Sequence, residues 1–151
     1  MTQLLFVSHC PSDNTRAIRD TVLQSLDGFG DVQLEHRDSL EATVEDVERC
    51  DALALATTEN FGAMAGRTKD FFERIYYPLL DARPSLPVVF YVRAGEDGTG
   101  TVTGIQRILT GLKWQLVQPA LVLKGSYDKA FSDDAATLVT TLAAGVDAGI
   151  F

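Results

Sequence analysis

Residues 52–57 read ALALAT, with an apolar side chain at every position except the last. The run is too short for a helix, which in globular proteins extends over about ten residues or more, and it carries no charge on either face. A strand that is apolar on both faces has to be covered on both faces, as the strands of parallel sheets are. This stretch therefore predicts a buried strand in the middle of an α/β protein.

Further strands are predicted on both sides of this one. The run VVFYV at residues 88–92 is again apolar on both faces, and a first strand is expected at about residues 4–8. Residues 32–37, VQLEHR, alternate apolar and polar side chains, which is typical of an exposed or edge strand. The last strand, LVLKG at residues 121–125, follows Pro119, and a proline there favours an edge position or a bulge.

Helical patterns separate these strands. A helix is expected from about Thr15, a short one capped by Thr43 and Asp46, one over residues 68–80, one around residues 105–112, and a last one starting at Asp133. Alternating strands and helices predict a single α/β domain over residues 1–151, with a doubly wound five-stranded parallel sheet. Such a sheet binds ligands at the carboxyl ends of its strands, where three loops are expected, at residues 8–14, 57–66 and 93–100.

The composition, net charge and cysteine content indicate what kind of protein this is. With 151 residues, 46% hydrophobic and 23% charged, the chain is expected to be soluble, and its net charge of -8 argues against nucleic acid as a partner. The longest strictly apolar run is VVFYV, so no membrane span is predicted, and no basic residue precedes the first apolar run as in a signal peptide. Cys10 and Cys50 suit a reducing cytoplasm and fit neither a disulfide framework nor a metal site. We therefore expect a cytoplasmic protein.

The first loop contains SHCPSDNTR at residues 8–16, which allows two interpretations. In the first, Cys10 and Arg16 have the spacing of a cysteine phosphatase, with the thiolate as nucleophile and the guanidinium holding the phosphoryl oxygens. Pro11 removes an amide donor from such a loop, and Asp13 would place a carboxylate among the oxygens of a dianion. Asp128 is the only passable general acid. Low-molecular-weight tyrosine phosphatases do resemble this arrangement, so hydrolysis stays as the less favoured hypothesis.

In the second interpretation the loop holds a phosphate without hydrolysing it. A helix N-terminus offers free N–H groups and a partial positive charge, so an anion can be bound without Lys or Arg. Ser12, Asn14 and Thr15 add side-chain donors. The alternative is that the loop binds no phosphate and that Ser12, Asp13 or Asn14 only caps the helix.

A second loop, TTENFGAMAGRTKDFFER at residues 57–74, joins the ALALAT strand to the next helix through small residues. Together with SDNTR it resembles the flavodoxin-like family of FMN proteins. The first loop matches the family pattern at Asn14, Thr15 and Arg16. The second loop matches it at Phe61, Gly62, Met64, Gly66, Lys69, Phe71, Phe72 and Arg74. Residues 111–125, GLKWQLVQPALVLKG, are also similar to the closing strand region of the family.

The resemblance implies the strand order 2-1-3-4-5 and FMN as the cofactor, and it assigns no catalytic residue. The residues implied to surround the FMN phosphate are Cys10, Ser12, Asp13, Asn14 and Thr15. Those implied to line one side of the isoalloxazine ring are Thr57, Thr58, Glu59, Asn60, Phe61 and Gly62. The other side would be lined by the loop that contains Ala94, Gly95 and Gly98.

The third loop bears on the choice between an enzyme and an electron carrier. Residues 93–113 contain no aromatic residue, whereas flavodoxins usually cover the flavin with an aromatic ring from this loop. An uncovered flavin face would admit NAD(P)H and a quinone or flavin substrate, so an FMN oxidoreductase is the first choice. Glu96 and Asp97 favour the alternative, a flavodoxin-type electron-transfer protein with a basic redox partner. Tyr76 and Tyr77 are candidates for a homodimer face, although a half-buried helix end explains them equally well.

Overall fold

The computed structural model describes all residues from 1 to 151 and places one sheet between two layers of helices. The elements follow one another as β1 (Thr2–Ser8), α1 (Asp13–Leu26), β2 (Val32–Asp38), α2 (Val44–Arg49), β3 (Ala52–Asn60), β4 (Ala63–Met64), α3 (Gly66–Leu79), β5 (Pro87–Ala94), α4 (Thr99–Leu112), β6 (Gln115–Leu116), β7 (Leu121–Lys124) and α5 (Ala130–Asp147). None of these helices combines the length and the apolar composition that crossing a bilayer requires.

The parallel strands lie in the order β2-β1-β3-β5, and β6 and β7 share the fifth position beside β5. The short β4 is antiparallel and pairs only with β3. The predicted order 2-1-3-4-5 is therefore confirmed when the five parallel positions are counted. Pro119 lies in the break between β6 and β7 at one edge, and β2 forms the other edge, as the sequence indicated.

The side chains of β3 explain why the sheet is covered on both faces. Leu53 and Leu55 point into the core formed with α2, α3 and α4, where Phe71, Phe72 and Phe90 are also buried. The alanines that alternate with them, Ala52, Ala54 and Ala56, point into the core formed with α1 and α5. Leucines on one face and alanines on the other bury both faces of this central strand.

The predicted end of β3 and the predicted start of α5 are wrong. The chain does not leave the sheet at Thr57, because Thr57 and Thr58 still pair with β5, and Glu59 and Asn60 pair with β4 in a hairpin. Its turn is formed by Phe61 and Gly62, whose φ angles of 53° and 75° are both left-handed, as the tight hairpin turns that match strand twist require. Helix α5 begins at Ala130 rather than Asp133, because the Asp128 carboxylate accepts a hydrogen bond from the Ala130 N–H group at 2.9 Å.

Arg83 anchors the C-terminus of α2 to the rest of the molecule. Its guanidinium donates hydrogen bonds to the carbonyl oxygens of Val47 at 2.7 Å, Glu48 at 2.6 Å and Cys50 at 2.6 Å. The last carbonyls of a helix have no partner within the helix and carry partial negative charge. One side chain therefore satisfies the end of α2 and fixes this helix beside the loop that precedes β5.

We expect Arg83→Lys to destabilise the protein, because one ammonium group cannot replace the planar fork that reaches three carbonyl oxygens. The free energy of unfolding from urea titrations should fall by about 1–3 kcal/mol. Arg107→Lys is the matched control, since Arg107 is exposed and has no ion pair. Equal stability of the two variants would show that the Arg83 contacts contribute nothing.

Candidate functional site

The carboxyl ends of three neighbouring strands form the candidate site. β1 ends at Ser8, β3 at Asn60 and β5 at Ala94, and the three strands are adjacent in the order β1-β3-β5. The chain turns to opposite faces of the sheet on leaving β1 and β3, which makes this the switch point where doubly wound sheets bind ligands. The sheet thus brings together the three predicted loops and the candidate residues on them.

In the first loop, Ser12 caps α1. Its Oγ accepts a hydrogen bond from the Thr15 N–H group at 3.2 Å, and the Thr15 Oγ1 accepts one from the Ser12 N–H group at 2.9 Å. This reciprocal capping box makes Asp13 the first residue of the helix, two residues before the predicted start. Ser12 therefore caps the helix, and its hydroxyl lies 3.0 Å from the Thr15 hydroxyl.

The cap leaves two donors free at the start of α1. The backbone N–H groups of Asp13 and Asn14 have no hydrogen-bond acceptor, and the Asn14 side chain is exposed beside them. The Asp13 carboxylate is paired with Arg16 at 2.6 Å, which offsets part of its negative charge. Two free amides at the positive end of a fourteen-residue helix suit a phosphate group.

Cys10 does not have the properties of a phosphatase nucleophile. Burial raises the pKa of the Cys10 thiol above its ordinary value, although a hydrogen bond to Ser8 and the positive charge of Arg19 oppose this effect. A nucleophilic cysteine needs the reverse, because the thiolate is the reactive form. Arg16 donates to the Asp13 carboxylate and to the Cys10 carbonyl oxygen, so it is not free to hold phosphoryl oxygens. The geometry does not suit phosphate hydrolysis.

The hairpin carries the second group of predicted site residues. The hydroxyl groups of its threonines already have hydrogen-bond partners within the protein. Thr57 is buried and its hydroxyl lies 2.7 Å from that of Thr68, while the Thr58 hydroxyl donates to the Asn60 side chain at 2.8 Å. These hydroxyls are satisfied within the chain. The surface that the hairpin offers to a ligand includes its backbone, the Phe61 ring, the NH2 group of Asn60 and the partly exposed Glu59.

Phe61 is unusual in both exposure and conformation. Its relative exposure is 107%, so the ring contacts almost nothing in the protein. Its φ of 53° is left-handed, which costs a residue other than glycine on the order of 1–3 kcal/mol. Strained residues cluster at functional sites, and this one presents a flat apolar surface at the edge where ligands bind.

The third loop packs against the hairpin. The Glu96 N–H group donates to the Glu59 carboxylate at 3.3 Å. A Cβ atom on Gly100 would lie 1.9 Å from the Gly62 carbonyl oxygen, so the start of α4 approaches the turn as closely as only glycine permits. The hairpin and the third loop therefore form one unit. Gly95 is exposed beside them, and Gly98 begins α4 with a left-handed φ of 70°.

The three loops do not enclose a cavity. The clefts of this molecule lie elsewhere, including one of about 460 Å³ between α3 and α4. That cleft is lined by Lys69, Phe72, Glu73, Tyr76, Tyr77 and Ile108. The exposed Tyr77 and the half-buried Tyr76, candidates for a dimer face, thus lie away from the strand ends. A planar ligand at the strand ends would rest on an open surface.

The sequence analysis missed several polar groups behind the first loop. The Ser8 hydroxyl lies 2.7 Å from Nε2 of His36, which sits beside β1 on the edge strand. Burial, and next Arg67, lower the pKa of His9, while Arg67 itself forms no ion pair. The register of β1 and β2 brings Ser8 and His36 together, and sequence periodicity does not specify that register.

A comparison with solved structures identifies the architecture. A flavodoxin from the domain Archaea has a TM-score of 0.81 and 12% sequence identity, and the match covers 97% of this chain and 99% of the other. Flavodoxin 2 from Bacillus cereus has a TM-score of 0.76 and 17% identity, covering 95% and 99%. The chain has the flavodoxin-like fold. An oxidoreductase from Corynebacterium diphtheriae shares this fold with a TM-score of 0.69 and 16% identity, covering 97% of each chain.

Comparisons of sequence, unlike those of structure, find no match for this chain. No model of a known protein family matches the chain, and no curated protein sequence is significantly similar. The flavodoxin-like fold expected from the two loop motifs is confirmed. At these levels of identity, the likeness concerns the fold, and the ligand has to be argued from the residues of this chain.

The burial of His36 beside Ser8 predicts that the stability of the protein depends on pH. Burial, and next the positive charge of Arg19, lower the pKa of His36 below its ordinary value of 6.5. The unfolded chain therefore takes up a proton that the folded chain resists, and the free energy of unfolding should decrease as the pH falls below about 6.5. Urea titrations between about pH 7.5 and about pH 5.5 measure this decrease.

His36→Gln should show a smaller decrease than the unaltered protein, because glutamine does not titrate and its amide can still bond the Ser8 hydroxyl. His9→Gln is measured separately, because the pKa of His9 is also lowered and this histidine adds its own share to the decrease. Asp46 does not interfere in this range, since its pKa is lowered from 3.8. An identical pH dependence in His36→Gln and the unaltered protein would contradict the prediction.

Proposed function

We propose that this protein binds FMN at the carboxyl ends of β1, β3 and β5 and works as a redox protein. The observation that carries the proposal is the placement of a phosphate-type site and an exposed aromatic ring at one edge of the sheet. The first is the N-terminus of α1, with the free N–H groups of Asp13 and Asn14. The second is Phe61, at the tip of the hairpin. FMN has a phosphate at one end and a flat ring system at the other.

Each loop has a distinct role in this proposal. The first loop binds the phosphate through the backbone of Asp13 and Asn14, with the Asn14 side chain as a further donor, while Ser12 and Thr15 hold the helix start in shape. The hairpin offers Phe61 to the isoalloxazine ring. Gly95 of the third loop leaves room on the other side, since it is exposed and has no side chain, whereas Ala94 before it is buried in the core.

FMN, when bound, supplies one-electron and two-electron transfer, and the protein determines what reaches the ring. The third loop has no aromatic side chain between Gly95 and Gly100 to cover the flavin. The open surface at the strand ends would admit a nicotinamide, which has to approach within roughly 3–3.5 Å for hydride transfer. We therefore infer an NAD(P)H-dependent oxidoreductase that passes electrons to a quinone or a flavin.

A second candidate is supported by the charges around the same edge. Asp13, Glu96 and Asp97 are exposed there, and Glu59 is partly exposed. The pKa of the Asp97 carboxyl is lowered, first by the N–H group of Thr99, so this group stays charged well below neutral pH. Such carboxylates repel an anionic dinucleotide and attract a basic protein. This favours an electron carrier with a basic redox partner, and its flavin would be reduced by that partner.

The role of the α1 N-terminus is tested by two substitutions at Asp13. Proline suits the first position of a helix but lacks the N–H group, so Asp13→Pro removes a proposed phosphate donor without breaking α1. Asp13→Ala removes only the carboxylate. In FMN titrations, Asp13→Pro should bind about ten- to a hundredfold more weakly than Asp13→Ala, the value of one hydrogen bond to a charged group.

Asp13→Ala itself should bind FMN at least as tightly as the unaltered protein, because it removes a negative charge and releases Arg16 from its ion pair. Riboflavin, which lacks the phosphate, should bind the two variants equally. Equal FMN affinity of Asp13→Pro and Asp13→Ala would place the phosphate elsewhere. A protein that binds no FMN at all would refute the proposed function.

The two candidate functions differ in the source of electrons. Anaerobic stopped-flow mixing with NADH or NADPH should bleach the visible absorbance of bound FMN if the protein is an oxidoreductase. Replacing Glu96 by Gln and Asp97 by Asn together should then improve apparent dinucleotide binding, most clearly at low salt, where charges are least screened. Bleaching by a basic reductase alone, slowed by the same substitutions, would select the electron carrier.

A further inference from the structure

Tyr91 of β5 carries a hydroxyl group that is buried in the core. The side chain is only 3% exposed, and its hydroxyl has no hydrogen-bond partner in the protein. A buried polar group without a partner costs about 1–3 kcal/mol, and such groups are rare in folded proteins. This tyrosine is therefore kept at a cost that packing alone does not require, because a phenylalanine would fill nearly the same volume.

The side chain reaches from β5 towards the first loop. β1 and β5 are separated by β3, so their backbones lie roughly 9.5 Å apart. The Phe6 and Tyr91 rings nevertheless have centroids only 6.4 Å apart. They meet over Ala54 and Ala56, whose small side chains leave this space on the α1 and α5 face of the sheet. The strand register places Tyr91 level with Ala56, and Ala56 level with Ser8, the last residue before the loop.

The titratable groups near the phenol also belong to the first loop and to α1. Burial raises the pKa of Tyr91 well above its ordinary value, and the neighbours that modify it further are Cys10, which raises it, and Arg19, which lowers it. The strand register, which aligns Tyr91 with Ser8 through Ala56, places the side chain beneath the start of the first loop. The hydroxyl stays protonated, so it can donate a hydrogen bond.

We propose that Tyr91 is the innermost donor of the anion site at the N-terminus of α1, and that its hydroxyl donates to the bound phosphate group. The inference rests on the proposed function in that FMN is the phosphate ester considered, but the same donor would serve any phosphate monoester. The free N–H groups of Asp13 and Asn14 bind the anion at the end of the helix, and the phenol binds it from the sheet side.

The test compares Tyr91→Phe with Tyr77→Phe, which removes the hydroxyl of an exposed tyrosine on α3. FMN and inorganic phosphate are titrated separately into each variant and the unaltered protein. Tyr91→Phe should bind both about ten- to a hundredfold more weakly, and Tyr77→Phe should bind as the unaltered protein does. Equal affinity in Tyr91→Phe would overturn the inference.

A second measurement uses the protein without ligand. Because Tyr91→Phe removes a buried donor that has no partner, its urea midpoint should equal or exceed that of the unaltered protein. A lower midpoint would show that the hydroxyl already has a partner in the free protein, and the inference would fail.

The outcomes also separate this inference from the proposed function. Phosphate binding that depends on Tyr91, in a protein that does not bind FMN, would support the inference and refute the FMN proposal. FMN binding of equal strength in Tyr91→Phe and the unaltered protein would refute the inference and support the FMN proposal. A protein that binds neither ligand would refute both.

Discussion

β3 is apolar on both faces, and this decides where the helices and the loops of the molecule lie. Leu53 and Leu55 need one helical layer and Ala52, Ala54 and Ala56 need the other, so neither face of the strand can be left to solvent. Helices on both sides require the chain to cross between parallel strands, and every such crossing leaves the sheet at the carboxyl end of a strand. The same constraint that buries an apolar strand thus collects the first loop, the hairpin and the third loop at one edge.

Much of this fold could be predicted because its signals are local. Apolar runs marked the central strands, alternation marked β2 as an edge strand, and Pro119 marked the last strand position as interrupted. The capping box of Thr43 and Asp46 is present as expected. The hairpin was missed because its turn needs left-handed backbone at Phe61 as well as Gly62, and sequence rarely indicates that for a phenylalanine.

The interior of the candidate site could not be predicted, for a different reason. Ser8 meets His36, and Tyr91 reaches towards Cys10, only because particular residues of β1, β2, β3 and β5 are level with one another. Register is set by the packing of whole strands and leaves little trace in a short sequence window. The first loop shows the opposite case, since residues three apart decide its capping box. The cap of the first loop was therefore accessible to sequence analysis, and the contacts beneath the loop were not.

A net charge of -8 does not exclude an anion from this edge, because the local field there is set by the backbone as well as by side chains. In a doubly wound sheet each helix that follows a parallel strand begins at the carboxyl edge. α1 and α4, each fourteen residues long, begin directly after β1 and β5, and α3, of the same length, begins after the hairpin. α3 and α4 have no side-chain cap at the residue before the helix, and in α4 the Asp97 carboxylate accepts a hydrogen bond from the Thr99 N–H group at 3.0 Å. Three partial positive charges therefore converge where Asp13, Glu96 and Asp97 add negative ones.

A small anion that reaches the helix ends meets the positive charges at contact distance, whereas a large anionic partner meets the carboxylates first. Such an edge can hold a phosphate and still discriminate against acidic macromolecules.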